Sequence, residues 1–192
     1  MHDVNNVEPL KPDLKHKVKE STEEDVMLCY QCGKCSAGCP LIDEMDIAPN
    51  QILRMLQTEI PELEERVLKS LTIWLCLTCE QCYARCPKDV DLPKIMDYLR
   101  SESIRRGLVN PKAKDILAFH KSFLDSVRLT GKLYEIGLIG GYKMRTMHLM
   151  QDVNVAPTMY FNGKLNLFPS QVKNKKAIQR IFEKAQSEEE NK

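Results

Sequence analysis

Residues 29–40 read CYQCGKCSAGCP, and residues 76–87 read CLTCEQCYARCP. Both stretches have the spacing C-x2-C-x2-C-x3-C-P, and each cysteine of the second lies 47 positions after its counterpart in the first. All 8 cysteines of the 192-residue chain fall in these two stretches, which we call motif 1 and motif 2. The repeat indicates a two-fold internal duplication that gathers every thiol into two short segments.

The spacing favours cuboidal iron–sulfur clusters over other uses of cysteine. Three thiols at positions i, i+3 and i+6 of a tightly turning backbone can face one small volume, where each binds a different iron. Gly33, between the second and third cysteines of motif 1, suits a turn with positive φ. The sequence therefore predicts two [4Fe–4S] clusters whose metal ligands are Cys29, Cys32, Cys35, Cys39, Cys76, Cys79, Cys82 and Cys86.

The proline after each fourth cysteine predicts that ligands cross between the motifs. Proline disfavours helix at the preceding residue and offers no N–H, so Cys39 and Cys86 are expected to point away from their own turns. In two-cluster bacterial ferredoxins with this spacing, the fourth cysteine of each run ligates the other cluster. The predicted sets are Cys29, Cys32, Cys35 and Cys86 for cluster 1, and Cys76, Cys79, Cys82 and Cys39 for cluster 2.

Zinc is the alternative metal, because C-x2-C pairs also build tetrahedral zinc sites, and the chain would then be a structural zinc-binding interaction module. Zinc modules usually supply separated pairs, without a third cysteine at i+6 and a Cys-Pro. Lys34, Arg85 and Lys88 lie beside ligands and could raise a cluster potential, but ordinary solvated surface charges are the favoured interpretation. His120 is interpreted as a surface or boundary residue.

Composition narrows the class of protein. The chain has 28 basic and 27 acidic residues, for a formal charge of +1, which does not favour nucleic-acid binding. No secretory signal and no apolar run long enough to span a membrane is found, so we expect a cytoplasmic protein without a membrane span. In that reducing compartment, closely spaced cysteines bind metal more often than they form disulfides.

The rest of the chain predicts an all-α protein, since no period-2 strand pattern is present. Residues 1–20 are expected to form a polar N-terminal arm, and residues 21–130 an α-helical two-cluster domain. Residues 131–192 are expected to be a C-terminal extension that docks a partner and ends in a frayed acidic tail. Helices are predicted over 48–57, 61–75, 91–107, 111–132 and 171–186.

No motif of a reaction centre accompanies the cysteines. The sequence contains no GxGxxG after a strand, P-loop, G-x-S-x-G or HExxH, and no cysteine remains to act as a nucleophile. Electron transfer, with the chemistry on another chain, is the function that this pattern favours. Such a role requires partner subunits that deliver and accept electrons.

Motif 1, the APNQILRML segment and the stretch IWLCLTCEQCYARCPKDVDLPKIMDYLR resemble the C subunits of the heterodisulfide reductases of methanogenic archaea, across about residues 22–130. The resemblance implies an α-helical ferredoxin-type fold around two [4Fe–4S] clusters. It implies an electron relay from the A subunit, which carries flavin and iron–sulfur clusters, to the B subunit, which carries CCG-type cysteine motifs and reduces the coenzyme M–coenzyme B disulfide. Hydrogenase or formate dehydrogenase subunits and flavin-based electron bifurcation are implied for the larger assembly.

The same helical module is known in iron–sulfur subunits of other dehydrogenases, which is the alternative family. Subunits of the succinate dehydrogenase type add a [2Fe–2S] domain, and no cysteine precedes Cys29 to build one. Glycerol-3-phosphate dehydrogenase types add CCG repeats, and no two cysteines are adjacent here. These differences favour a separate electron-transfer subunit.

Overall fold

The computed structural model of the chain describes residues 13–147, 156–163, 172 and 174–190. Within those ranges the regular structure is helical and contains no β-strand, as predicted. The α-helices are α1 Leu14–Thr22, α2 Lys34–Ala37, α3 Pro49–Thr58, α4 Pro61–Leu68, α5 Thr72–Leu75, α6 Gln81–Ala84, α7 Leu92–Arg105, α8 Lys114–Thr130, α9 Glu135–Thr146, α10 Ala156–Phe161 and α11 Lys175–Glu190. Short 3-10 turns at Val26–Leu28, Ile42–Glu44 and Pro111–Ala113 join several of them.

The chain divides into two compact units, Met1–Ala113 and Lys114–Lys192. The first unit holds both cysteine motifs. The first unit ends before α8, whereas the sequence predicts a domain boundary after residue 130. Helix α8 belongs to the second unit because it packs on α9 and α11. Each unit is therefore built around its own helix contacts.

The core of the first unit comes from the helices that follow the two motifs. On α3 the buried side chains include Ile52, Leu53 and Leu56, and on α7 they include Ile95, Met96 and Leu99. These triplets are related by an offset of 43 positions, whereas the motifs are related by 47. The duplication thus continues into the core helices, with four fewer residues between motif 2 and its helix.

Helix α1 adds to this core, although residues 1–20 are predicted from sequence as a polar arm. Leu14 and Val18 are fully buried. The backbone N–H of Leu14 donates to Glu64 Oε1 at 3.3 Å, so a carboxylate from α4 caps the start of α1. Residues 1–12 lie outside the described residues, so the arm remains a prediction there.

One predicted helix is broken in the structure. The stretch 61–75 forms α4 and α5, with residues 69–71 between them. Asp46 accepts hydrogen bonds from the backbone N–H groups of Leu71 and Thr72, both at 2.9 Å, and so caps a new helix start. The break lets α5 run directly into Cys76.

In the second unit, α8 buries small residues rather than its apolar stripe. Its buried positions are Ala118, Ser122, Ser126 and Thr130. Gly141 of α9 lies close to Ser122, where an added Cβ would come within 3.3 Å of the serine Cβ. Small facing residues let the helix backbones approach closely, and this leaves large apolar side chains on the surface: Phe119, Phe123, Leu124, Leu129, Ile139 and Met144.

Helix α9 lies in a region where the sequence shows no clean period, and α11 extends through Glu190, into the stretch predicted to fray. Among the residues with described coordinates, no helix combines the length and apolarity needed to cross a membrane.

A buried ion cluster joins α7 to the residue before α1. Glu102 is 4% exposed and accepts hydrogen bonds from Arg105 and Arg106, and Arg106 also donates to Asp13 Oδ1 at 2.9 Å. Burial alone would raise the pKa of Glu102, but the hydrogen bonds from Arg105 and Arg106 outweigh it and hold the pKa below 4.5. The charged carboxylate is therefore the form that stabilises the fold.

Replacing Glu102 with Gln should lower the free energy of unfolding by about 1–3 kcal/mol near neutral pH, because two arginines lose a charged acceptor. A carboxyl group with a lowered folded-state pKa stabilises the fold above its unfolded pKa, and this contribution is lost as the pH falls through the folded value. Urea unfolding should therefore show a smaller difference between wild type and variant well below pH 4.5 than near neutrality. Glu20→Gln, at an exposed site on α1, is the control; equal losses in both variants would contradict the role of Glu102.

Candidate metal centre

The eight cysteines line two cavities in the first unit. The cysteines that line cavity 1 include the first three of motif 1 and the fourth of motif 2, and those that line cavity 2 include the first three of motif 2 and the fourth of motif 1. Their respective cysteine sets include Cys29, Cys32, Cys35 and Cys86, and Cys76, Cys79, Cys82 and Cys39. The structure thus brings each fourth cysteine to the cavity of the opposite motif.

The two cavities adjoin each other. Cys35, Cys82 and Leu92 line both of them. Helices α2 and α6, which carry the two shared cysteines, are also in contact. Any groups bound in the two cavities would therefore be separated by little more than these side chains.

The lining of the cavities fits cluster binding, because each presents several thiols among apolar side chains. Their volumes, including space open to solvent, are about 360 Å³ for cavity 1 and about 440 Å³ for cavity 2. In the described part of the chain, no three His, Cys, Asp or Glu side chains converge on a position for a single metal ion. A four-iron cluster does not need such convergence, because each thiolate binds its own iron.

The loops around the first three cysteines have positive φ at the same two positions in both motifs. Gln31 and Gly33 have φ values of 64° and 76°, and the equivalent Thr78 and Glu80 have values of 50° and 60°. The expected positive φ at Gly33 is confirmed. A β-branched residue such as Thr78 rarely adopts positive φ, so the duplicated turn is held by its surroundings rather than by local preference.

Exposure differs among the cysteines in a symmetric way. Cys32 and Cys79, the second cysteines of the motifs, are exposed, and the other six are half-buried. Exposed apolar side chains lie close to these cysteines in the sequence: Leu28 and Tyr30 precede Cys32, and Leu77 and Tyr83 flank Cys79, all with more than a third of their surface exposed. Each cavity therefore has one side that opens toward solvent.

Burial acts on the thiols at the inner sides of the cavities. It raises the pKa of Cys35 and Cys76, and it raises the pKa of Cys82 to about 11, with the neighbouring Cys76 adding to the shift. Arg100 opposes the shift at Cys76. Because metals bind thiolates, a bound cation would have to displace these protons.

The first cysteine of each motif is held through its backbone by a side chain from the core. Gln57 Nε2, on α3, donates to the carbonyl oxygens of Val26 and Cys29, both at 2.8 Å. On α7, Arg100 donates through Nε to the carbonyl of Ile73 and through Nη2 to that of Cys76. We refer to these as the Gln57 clamp and the Arg100 clamp.

A second contact positions Cys76 through α5. The Thr72 hydroxyl donates to Asp46 Oδ1 at 2.8 Å and accepts from the Ile47 N–H at 3.0 Å. Burial would raise the pKa of Asp46, but hydrogen bonds from Leu71 and Thr72 hold it below the ordinary value. The segment before motif 2 is thus tied to residues that follow motif 1.

The charged residues predicted beside the ligands occupy different positions. Lys34 lines cavity 1. The Arg85 guanidinium lies against Gly38, where an added Cβ would come within 2.5 Å of it, and Gly38 is the residue equivalent to Arg85 in motif 1. Lys88 is exposed and lines neither cavity. His120 is exposed on α8, as expected.

Sequence reasoning missed Gln57, Arg100 and Asp46. The clamp residues are 43 positions apart, so aligning the chain with itself at the motif offset of 47 does not pair them. Aligning the apolar stripes of α3 and α7 at an offset of 43 would have placed Gln57 opposite Arg100. No comparable sequence signal points to Asp46.

Residues 25–90 match the family model of the 4Fe–4S dicluster domain. The match spans both motifs and supports iron–sulfur clusters as the groups that these cysteines bind. Together with the helical fold, it defines an all-α domain of the ferredoxin type.

Relatives found by whole-chain comparison are subunits of one kind of complex. The C subunit of the H2:CoB–CoM heterodisulfide, ferredoxin reductase of Methanothermobacter marburgensis is 27% identical over 107 residues, 56% of each chain. The iron–sulfur C subunit of the CoB–CoM heterodisulfide reductase of Methanopyrus kandleri is 32% identical over 108 residues, 52% of this chain and 55% of the relative.

The C subunit of the ferredoxin:CoB–CoM heterodisulfide reductase of Methanosarcina acetivorans is 36% identical over 80 residues, 42% of this chain and 31% of the relative. The chain spans about half the length, or less, of these curated relatives. Over that span, the predicted resemblance to the C subunits of heterodisulfide reductases is confirmed.

Replacing Gly33 with Ala should destabilise the fold by about 1–2 kcal/mol, because a side chain at φ 76° is strained although no atom lies within 4 Å of the added Cβ. The equivalent change in motif 2, Glu80→Gly, removes a side chain at φ 60° and should leave stability unchanged or raise it slightly. Anaerobic thermal unfolding of both variants, with iron content measured beforehand, checks this. A Gly33→Ala protein as stable as wild type would show that the turn tolerates any residue.

Proposed function

We propose that this chain is the electron-transfer subunit of a cytoplasmic heterodisulfide reductase, relaying electrons through two [4Fe–4S] clusters from a flavin-bearing A subunit to the B subunit. There the disulfide of coenzyme M and coenzyme B is reduced. The observation that most strongly supports this proposal is the pair of adjoining cavities, whose linings each include the first three cysteines of one motif and the fourth of the other. The relatives, which are named as C subunits of such reductases, support the choice of complex.

In this proposal, Cys29, Cys32, Cys35 and Cys86 hold cluster 1, and Cys76, Cys79, Cys82 and Cys39 hold cluster 2. Bound clusters supply reversible one-electron storage. The chain contributes the spacing between them, since Cys35, Cys82 and Leu92 border both cavities. It also holds both first ligands in place through the Gln57 and Arg100 clamps.

A relay needs separate donor and acceptor surfaces. The exposed cysteines Cys32 and Cys79 lie on different cavities, and each has exposed apolar neighbours. We assign these two edges to the two electron-exchange partners. Apolar contacts there would exclude water around the exposed thiolates when a partner docks.

The C-terminal extension, 131–192, is proposed to dock partner subunits. Support comes from α9 and the preceding α8, on which large apolar side chains are exposed to solvent, whereas the buried positions of α8 are small residues. Among these side chains, Leu129 is 60% exposed and Met144 is 76% exposed. Exposed apolar surface of this kind is available for a partner to cover. Residues 148–155 and 164–171 lie outside the described residues.

Anaerobically purified protein should be brown, contain about eight irons per chain and bleach on reduction with dithionite.

Affinity purification from the native cell, followed by mass spectrometry, should recover a partner with CCG-type cysteine motifs together with a flavoprotein. Zinc in place of iron would refute the relay. Recovery of a succinate-type flavoprotein without the CCG-bearing partner would keep the clusters but assign the chain to another dehydrogenase.

Replacing Cys86 with Ser should remove the cluster signal that depends on residues 29–35 and leave the other largely intact, because Cys86 lines cavity 1. Roughly half of the iron should be lost if the damaged cluster dissociates. Cys39→Ser is the matched variant, with the opposite signal affected. EPR spectra of the reduced proteins show which cluster signal each variant has lost. Loss of the motif 2 signal in Cys86→Ser would contradict the crossed assignment.

A further inference from the structure

The two clamps have the same geometry but different charge. Val26 and Ile73 occupy equivalent positions, as do Cys29 and Cys76, and each pair of carbonyls is bound by one side chain from the core helix that follows the motif. On the motif 1 side the donor is the neutral amide of Gln57. On the motif 2 side it is the guanidinium of Arg100.

The Arg100 charge is held close to one cavity. Its side chain is 18% exposed, and two of its nitrogens are fixed on the backbone carbonyls of Ile73 and Cys76. A partly buried charge is screened less by water and salt than an exposed one. The guanidinium thus presents a fixed positive charge to the first ligand of cavity 2.

The carboxylate that faces Arg100 only partly offsets the positive charge of the guanidinium. Asp97, one turn earlier on α7, accepts from Arg100 Nη1 at 2.9 Å, but its side chain is 58% exposed. Near the cavities, Lys34 lines cavity 1 and Arg85 lies against Gly38, beside Cys39, and both residues are exposed. Of these three cations, Arg100 is the one that lies mostly out of solvent.

We propose that Arg100 is a positioning residue whose fixed charge raises the reduction potential of the cluster held by Cys76, Cys79, Cys82 and Cys39, whereas Gln57 only positions the other. This rests on the proposed cluster-binding function. Reduction adds one electron to a cluster and breaks no bond, so a nearby positive charge stabilises the reduced form. The chain would thereby distinguish two sites that its duplication made alike.

Redox titration of the anaerobic holoprotein with dithionite and mediators, monitored by EPR, tests the proposal. The Cys86→Ser and Cys39→Ser variants assign the two signals. Arg100→Gln gives the Arg100 clamp the same side chain as the Gln57 clamp. It should lower the midpoint potential of the cavity 2 cluster and leave the midpoint potential of the cavity 1 cluster unchanged. Unchanged midpoints in a variant with full iron content would overturn the proposal.

Asp97→Asn provides an independent arm, because it removes the exposed counter-charge and keeps the hydrogen bonds of Arg100 to the carbonyls of Ile73 and Cys76. It should shift the cavity 2 midpoint upward, and a downward shift or none would contradict the charge effect even if Arg100→Gln loses its cluster. Lys34→Gln is the control for an exposed cation. It should lower the midpoint potential of the cavity 1 cluster by less than Arg100→Gln lowers that of the cavity 2 cluster. An equal or larger shift would contradict the importance of burial. A wild-type protein without iron would refute the proposed function itself, before any titration.

Discussion

The structure of the first unit depends on the exchange of fourth cysteines between its two motifs. Cys39 reaches the cavity of motif 2 and Cys86 that of motif 1, so neither half completes its set of four thiols alone. A metal group bound in either cavity would join segments almost 50 positions apart and add its binding free energy to folding.

Helices around the cavities act mainly by fixing backbone. Gln57 and Arg100 hold the carbonyls of the first cysteines, and Asp46 caps the short helix before Cys76. Backbone held in this way can maintain positive φ at residues such as Thr78, which would not adopt it in isolation. The same contacts hold the cysteine loops in one geometry.

Sequence patterns predicted the features that depend on residues close together in the chain. Cysteine spacing indicated the two motifs and the positive φ at Gly33. Hydrophobic periodicity indicated the helices α3, α7 and α8 and the absence of strands in the described ranges. The missed features depend on distant contacts. Helix α1 has few apolar positions and is capped by Glu64, about 50 residues away, and the break before α5 requires Asp46. Helix α9 has no buried side chains and lies close to α8 at Gly141, beside Ser122, so hydrophobic periodicity gives no signal for it, and α8 leaves large apolar side chains exposed.

Diffraction from crystals grown without oxygen, recorded on both sides of the iron absorption edge, tests the crossed arrangement most directly. Two separate iron peaks are expected in the first unit, one bonded to the sulfurs of Cys29, Cys32, Cys35 and Cys86, the other to those of Cys76, Cys79, Cys82 and Cys39. An iron site bonded to all four cysteines of a single motif, or peaks that appear only at the zinc edge, would contradict it.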